Sequence, residues 1–392
     1  MTSRARLVVA LVSTGLIGYI AVGSLLTRVL GDTSYGQLAI FNEVVRLVLD
    51  AYVEPVNVDR AMGGARLGMA DALDGDSAYL SPEEFRQHHE PAGDADVGLV
   101  LTRRFAFLMV VAARPGTPAD KAGLRTGDLV KSIDGRHTRP VPTVVGERLL
   151  RGAPGSTVRL EVMRLRSGAE PFEVSLVRER IRPAEPSGRM LDEHAGYVRV
   201  SDITPETGEL LRTQIAVLER AGATRLVLDL RDSAWGSSAD AVGVAEPFLE
   251  GGTVARRVGR SVTEQVLDAD PRHAEWSGPL AVLVDAGTAG PAEVAAAALL
   301  DAGRAVVVGE HTFGRAAESR PVPLPEGGLV LTVAKFMSPK GTSLHGEGIE
   351  PSVAVASAEA DDEEDDSAEA GDPILEKALE ALAESAAGKA AA

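Results

Sequence analysis

The sequence predicts a mixed α/β protein with a helical N-terminal segment, a small β-rich domain and a larger α/β core. Apolar residues recur at helical spacing across residues 35–90. Short strand-like runs fill residues 96–182, and strands alternate with helices across residues 196–353. Such alternation is typical of a sheet covered by helices. At 392 residues, the chain is long enough for two or three structural units.

An uncharged stretch near the N-terminus predicts a membrane anchor. Residues 7–26 carry no charge and follow Arg4 and Arg6, and about twenty apolar residues match the ~30 Å hydrocarbon core of a bilayer. Positive charge before the span predicts that the bulk of the chain lies outside the cytoplasm. We therefore expect residues 1–31 to be a single-pass anchor in the inner (cytoplasmic) membrane, with a periplasmic body. The alternative is a signal peptide cleaved after residues 21–23.

Composition narrows the possible ligands. The net charge is −17, and residues 353–392 hold twelve acidic residues against two lysines, so the preceding residues keep an acidic balance. This balance argues against nucleic-acid binding. The chain has no cysteine, and its seven histidines are scattered, so the sequence predicts neither a metal site nor a cofactor. Residues 358–372 predict an acidic disordered linker, followed by a C-terminal helix and tail over residues 373–392.

The segment before the β-rich domain, residues 32–92, is predicted to be helical. Near its end, Ser81 and Pro82 have the residue types of a helix N-terminus. The β-rich domain itself is placed at residues 93–182. Its predicted strands are residues 97–102, 107–112, 129–133, 158–163 and 172–177, with a short helix that closes at Gly123.

Residues 118–128, 133–135 and 149–156 of this domain resemble a PDZ domain of the protease-associated type. The resemblance implies binding of peptides or protein C-termini, which add as an extra strand while loop N–H groups hold the terminal carboxylate. The corresponding loop is Asp96, Val97, Gly98 and Leu99. Asp96 replaces the usual first glycine of that loop, so we expect weakened binding, and a closed or idle groove is the alternative.

The core, residues 183–357, contains an ordered series of motifs. Its predicted strands are residues 197–200, 226–230, 280–285, 305–308 and 329–334, and its predicted helices are residues 205–221, 239–249 and 291–301. The motifs in chain order are Gly-Tyr-Val at 196–198, Leu-Asp-Leu-Arg at 228–231, Gly-Thr-Ala-Gly-Pro-Ala-Glu at 287–293, residues 304–315 and Gly-Glu-Gly-Ile-Glu-Pro at 346–351. In this order they resemble the tail-specific, or carboxy-terminal processing, serine proteases. The resemblance covers about residues 35–385 and implies a crotonase-like core with an inserted PDZ-like domain.

The resemblance also implies a serine nucleophile that a lysine activates, but this chain replaces both residues. The serine position is Gly290, the lysine position is Arg315, and a supporting glutamine position is Ser319. Glycine has no nucleophile, and arginine stays protonated, so it cannot serve as a general base. Residues 278–318 contain neither serine nor lysine, so a shifted alignment does not restore the pair.

The oxyanion site also departs from the family pattern. Trp235, followed by Gly236, stands where the family has a glycine whose backbone N–H stabilises the tetrahedral intermediate. We therefore expect a pseudoprotease that binds peptides or regulates a partner, as a homo-oligomer or by co-assembly with an active relative. The alternatives are an active endopeptidase with an unrecognised nucleophile such as Thr288, and a structural envelope component. Thr288 and Thr312 are the hydroxyls nearby, and a helix N-cap or a turn is the expected role of each.

Overall fold

A computed structural model describes residues 36–164, 170–356 and 371–391. The predicted anchor lies outside these residues. Within the described ranges, no helix combines the length and the apolar character that crossing a membrane would need. The chain divides into two compact units, one that ends at Arg66 and one that begins at Leu67.

The N-terminal part of the described chain contains two helices before residue 72. Residues 36–51 form helix α1, and Val58–Asp71 form α2. Helix α3, Pro82–His88, begins at Ser81, whose hydroxyl accepts the N–H of Glu84. The Glu84 carboxylate accepts the N–H of Ser81 in return, so the capping box is complete.

One strand in this region was not predicted. Strand β1, Ala78–Leu80, is buried along its length and pairs with a strand of the core about 250 residues further along the chain. A three-residue strand is too short to give a periodic signal in the sequence.

The PDZ-like domain is built around one antiparallel sheet. Its elements are β2 Leu99–Arg104, β3 Phe107–Ala113, α4 Pro118–Lys121, β4 Leu129–Ile133, β5 Arg136–His137, α5 Thr143–Leu150, β6 Thr157–Met163 and β7 Phe172–Val177. The strand order is β2-β3-β4-β6-β7, with β5 attached to β4, so β2 is an edge strand. The predicted strands are confirmed within two residues, whereas α5 was not predicted.

The core contains a largely parallel sheet of six strands: β8 Ser187–Met190, β9 Ala195–Arg199, β11 Arg225–Asp229, β15 Leu280–Val284, β16 Val306–Gly309 and β19 Val353–Ala354. Their order across the sheet is β19-β16-β15-β11-β9-β8. The accompanying helices are α6 Thr207–Arg220, α7 Ala241–Ala245 and α8 Pro291–Asp301. Strand β15 is buried throughout, as expected for a strand covered on both faces. The α/β prediction is therefore confirmed for this layer.

A second, antiparallel sheet was not predicted as a layer. It contains β1 with β13 Gly252–Gly259, β14 Val262–Ala269, β17 Ala317–Pro323 and β18 Gly328–Met337. The small pair β10 Asp202–Ile203 and β12 Trp235–Gly236 lies beside the core. Strands β14 and β17 are mostly exposed, so their polar residues mask the strand pattern.

The C-terminal helix α9 packs against the parallel sheet. It spans Pro373–Ala391, and Ile374, Ala378 and Leu382 are buried against the parallel sheet. At its start, Asp372 pairs with Arg231 at 2.8 Å, which fixes the helix to the end of β11. The predicted acidic linker lies largely outside the described residues.

Candidate functional site

Three loops meet at the carboxyl edge of the parallel sheet. They follow β11, β15 and β16, which end at Asp229, Val284 and Gly309. Ligand and catalytic groups of open α/β sheets gather at this edge. All three loops carry positions that the sequence analysis singled out.

Gly290 lies on a strained turn directly before α8. Its φ and ψ angles are 58° and −114°, which few residues other than glycine adopt. A Cβ atom placed there would lie 3.6 Å from the carbonyl oxygen of Arg315, so there is room for a side chain. Strained turns between a strand and a helix present the nucleophile in many hydrolases. Gly290 itself has no side chain that could act as a nucleophile at this turn.

Glu293 holds this turn against the loop after β16. Its buried carboxylate accepts the N–H groups of Gly290 and Arg315, both at 2.8 Å. It also accepts the N–H of Gly314 at 2.5 Å and the hydroxyl of Thr312 at 2.6 Å. Burial raises the pKa of Glu293, although these four donors oppose the rise. This carboxylate brings positions 290 and 315 together.

Arg315 lies between two carboxylates. Its Nε atom donates to Asp76 Oδ2 at 2.8 Å, and its Nη2 atom lies 3.7 Å from Glu147 Oε1. Burial by itself would lower the pKa of Arg315, but the charges of Asp76 and Glu147 outweigh it and raise the pKa. The base position therefore holds a permanent cation. Asp76 and Glu147 come from outside the core, and the sequence analysis missed both.

Ser319, unlike these groups, is exposed to solvent. It lies in β17, where its hydroxyl is 3.3 Å from the hydroxyl of Thr332 on β18. A serine hydroxyl is much shorter than the glutamine amide that the family resemblance implies at this position.

Trp235, which the family resemblance aligns with an oxyanion-site glycine, lies on β12 at the boundary of the two domains. Its half-buried indole packs with Val100 and Val111 of the PDZ-like domain and with Ala289 and Phe313 of the core. The Arg114 guanidinium lies 4.7 Å from the indole centroid and 2.8 Å from the buried Asp202 carboxylate. The indole therefore packs at the contact between the PDZ-like domain and the core.

The residues that follow Trp235 and Gly290, which are Gly236 and Pro291, also limit the backbone conformation and the N–H donors at this edge of the sheet. Gly236 has a φ of 118°, and a Cβ atom there would lie 1.8 Å from the carbonyl oxygen of Ile203, so only glycine fits. Residue 291 is a proline, which has no N–H. The N–H after the nucleophile is an oxyanion donor in comparable turns. The identity of Pro291 was visible in the sequence, but its consequence was missed.

The two threonines have structural roles. Thr288 is fully buried, and its single hydroxyl hydrogen is shared between the carbonyl of Leu230 and the carboxylate of Asp285, while its oxygen accepts the N–H of Asp285. Thr312 donates to Glu293 and accepts the N–H of Ile349. These contacts hold the loops after β15 and β16, in keeping with a turn rather than a helix N-cap, since the N-cap residue of α8 is Gly290.

The predicted carboxylate-binding loop of the PDZ-like domain folds onto its own side chain. Asp96 Oδ1 accepts the N–H of Val97 at 2.6 Å and the N–H of Gly98 at 3.1 Å. Leu99 follows as the first residue of β2. Within the described ranges, no group of three or more potential ligand side chains could hold a metal ion.

A carboxylate pair that the sequence analysis missed lies beside the site. Asp285 accepts the N–H of Asp232 at 3.0 Å, the N–H of Gly287 at 3.0 Å and the hydroxyl of Thr288 at 2.8 Å. Burial and the nearby Asp285 raise the pKa of Asp232 to about 7. Asp285 is the better placed of the two to carry the charge, because it accepts more hydrogen bonds.

This pair predicts how stability depends on pH. An unfolded aspartate ionises near pH 4, so between about pH 4 and 7 the folded protein binds more protons at Asp232 than the unfolded chain does. Stability from this group is therefore full below pH 4 and falls as the pH rises towards 7.

Asp232→Asn removes this contribution and suits the positive φ of 52°. We expect the melting temperature of the wild type to fall relative to the variant between pH 5 and pH 8. The effect should not exceed about 1 kcal/mol, because 43% of the Asp232 side chain is exposed. If the melting temperatures of the wild type and the variant changed in parallel across this pH range, the raised pKa of Asp232 would be contradicted.

Together, the crotonase-like core, the strained turn and the inserted domain define a peptidase-type protein. The comparisons with known proteins agree: residues 194–355 match Peptidase family S41, and residues 109–164 match a PDZ domain. The chain is 32% identical over 289 residues to a carboxyl-terminal-processing protease of Picosynechococcus sp., covering 69% of this chain and 67% of that protein. The chain belongs to the carboxyl-terminal processing proteases of family S41.

Two further relatives agree with this assignment. Carboxyl-terminal-processing peptidase 2 of Arabidopsis thaliana chloroplasts is 30% identical over 317 residues, covering 76% of this chain and 61% of that protein. A solved photosystem II D1 C-terminal processing protease superposes with a TM-score of 0.67 and 26% identity, covering 78% of this chain and 84% of that one. The predicted fold class is confirmed.

Proposed function

We propose that this chain is a pseudoprotease, a member of the family that binds rather than cleaves. The observation that carries the proposal is the pairing of Arg315 with Asp76 and Glu147 beside Gly290. A guanidinium between two carboxylates neither accepts a proton nor releases one at physiological pH. The chain therefore has neither the serine nucleophile at position 290 nor the lysine base at position 315.

The surroundings support the same proposal. Acyl transfer needs N–H donors aimed at the developing oxyanion, and each donor contributes about 10²–10³ in rate. Pro291 supplies no N–H, and the Trp235 side chain packs where substrate would approach this edge. Thr288 could act only by leaving three hydrogen bonds in a buried position.

The partner is proposed from the domain composition. A PDZ domain recognises extended peptides and chain termini. We propose that the protein binds peptides or protein C-termini or regulates a partner, and that it works as a homo-oligomer or by co-assembly with an active relative. The uncharged run of residues 7–26 supports a location at the extracytoplasmic face of the inner membrane.

The full chain, purified in detergent, is expected not to degrade casein above a buffer control and not to react with a fluorophosphonate probe. The reason is that a hydrolytic cycle would have no nucleophile at position 290 and no base at position 315. An active member of the family, assayed alongside, shows that the conditions permit cleavage. Turnover that disappears in Thr288→Ala would establish the alternative nucleophile and end the proposal.

The anchor is tested by fractionation of cells that produce the full chain. We expect the protein to sediment with membranes, to resist extraction by sodium carbonate and to dissolve in detergent, because residues 7–26 span the bilayer. A soluble extracytoplasmic form that begins near Ser24 would identify the run as a cleaved signal peptide.

A further inference from the structure

The groove of the PDZ-like domain lies between β2 and α5 and ends at the loop of residues 96–99. Peptides add to the free edge of such a strand, and loop N–H groups hold the terminal carboxylate. Strand β2 is the edge of its sheet. Its outward N–H groups therefore determine what the groove accepts.

At the carboxylate end of the groove, the chain supplies its own carboxylate. Asp96 Oδ1 accepts the N–H groups of Val97 and Gly98, and Asp96 Oδ2 lies 3.4 Å from Arg151 Nε. The backbone of Asp96 pairs with Glu179 through two hydrogen bonds of 2.9 Å, which fixes the residue in place. The Asp96 side chain thus occupies the donors that a peptide terminus would need.

Further along the groove, the edge of β2 is also covered. The backbone N–H of Leu101 lies close enough to the carboxylate of Glu147, which projects from α5, to oppose the rise that burial gives the pKa of this carboxylate. The N–H of Arg103 donates to the carbonyl of Gly75 at 3.3 Å, and the hydroxyl of Thr143 donates to the same carbonyl at 2.7 Å. A Cβ atom on Gly75 would lie 2.5 Å from the carbonyl oxygen of Arg103, so this close approach requires glycine.

We infer that the PDZ-like domain is self-liganded: Asp96, Glu147 and the carbonyl of Gly75 take the positions of a bound peptide and exclude a free C-terminus. Arg315 reinforces this state, because it contacts both Glu147 and Asp76, the neighbour of Gly75. A ligand of the groove has to displace two carboxylates of the chain. The inference limits the binding role in the proposed function to ligands that displace these two carboxylates, and it does not depend on whether the core hydrolyses peptides.

Binding to a pool of dye-labelled decapeptides, randomised at their last four positions, tests the inference. The pool is used with free carboxyl termini and, separately, with amidated termini. We expect the wild type to bind both pools equally weakly, and Asp96→Gly/Glu147→Ala to bind the free-carboxylate pool at least tenfold better than the amide pool.

Asp96→Asn distinguishes two ways in which Asp96 could block a peptide: by occupying the loop N–H groups, or by repelling the terminal carboxylate with its charge. An asparagine keeps an acceptor for the loop N–H groups but has no charge, so we expect it to bind like the wild type. Three results would overturn the inference. The first is a wild type that already binds the free-carboxylate pool tenfold better than the amide pool, and the second is an Asp96→Asn variant that binds like Asp96→Gly/Glu147→Ala. The third is a folded Asp96→Gly/Glu147→Ala variant that binds both pools equally.

Hydrogen exchange of the wild type gives a test that does not depend on the variants folding. The amides of Val97, Gly98 and Arg103 are expected to exchange at least 100-fold more slowly than unstructured amides, because each has an acceptor within the chain. Exchange of these three amides at the unprotected rate would show that the groove is open.

Discussion

Glu293→Leu is expected to abolish folding. The buried carboxylate accepts four hydrogen bonds, from the N–H groups of Gly290, Gly314 and Arg315 and from the hydroxyl of Thr312. Each orphaned buried donor costs about 1–3 kcal/mol. Four such losses are comparable to the whole stability of a typical domain, about 5–15 kcal/mol.

Glu293→Gln gives a measurable version of the same effect. Its amide keeps one acceptor oxygen but turns an NH₂ group towards donors, so we expect a loss of roughly 2–4 kcal/mol. Urea unfolding measures this loss as a lower midpoint at an unchanged slope. Glu219→Gln on the exposed face of α6 is the matched control and should stay within about 0.5 kcal/mol of the wild type. A Glu293→Gln variant as stable as this control would contradict the role of the carboxylate.

Gly290→Ser/Arg315→Lys is expected to remain inactive although it restores the family pair. A lysine beside Asp76 and Glu147 is stabilised in its charged form, so only a small fraction of it is neutral and able to act as the base. The serine would also occupy a φ of 58°, at a cost of about 1–3 kcal/mol. Fluorophosphonate labelling of the double variant should therefore stay at background.

Adding Pro291→Ala, Trp235→Gly and Ser319→Gln restores an N–H donor, opens the covered edge and supplies the supporting amide. We expect this five-fold variant to be labelled at least 100-fold faster than the double variant, because one oxyanion donor alone contributes about 10²–10³. The same variant with Gly290 retained is the control and should not be labelled. Rapid labelling of the double variant would mean that only the pair was lost and that the oxyanion site is intact.

Much of the candidate site could be predicted from the sequence, because the argument depended on residue identity. Glycine has no nucleophile in any fold, so the loss at Gly290 needed only the correct position in a motif. The closed groove was weighed as an alternative for the same reason, since Asp96 stands in the carboxylate loop. What the sequence did not predict is that the Asp96 side chain itself accepts the loop N–H groups.

The missed features depend on contacts between distant residues. Asp76 and Arg315 are 239 positions apart, and no local pattern relates them. Strands β13 and β14 were missed because their exposed residues include many charged ones, so the period-two signal of a half-buried strand is weak. By contrast, α8 was predicted at its observed bounds, because Pro291 begins it and apolar residues fill it.

The position of Trp235 between the two domains makes it an optical reporter of their contact. The chain has only two tryptophans, and the second, Trp276, is buried in the core and donates its indole N–H to the carbonyl of Pro279 at 3.2 Å. In a Trp276→Phe background, the remaining fluorescence would come from an indole stacked beneath the Arg114 guanidinium. Separation of the PDZ-like domain from the core would expose that indole to water and shift its emission to longer wavelength. The protein thus carries a built-in fluorophore at its domain boundary, and any partner that separates the two domains can be followed by the colour of its emission.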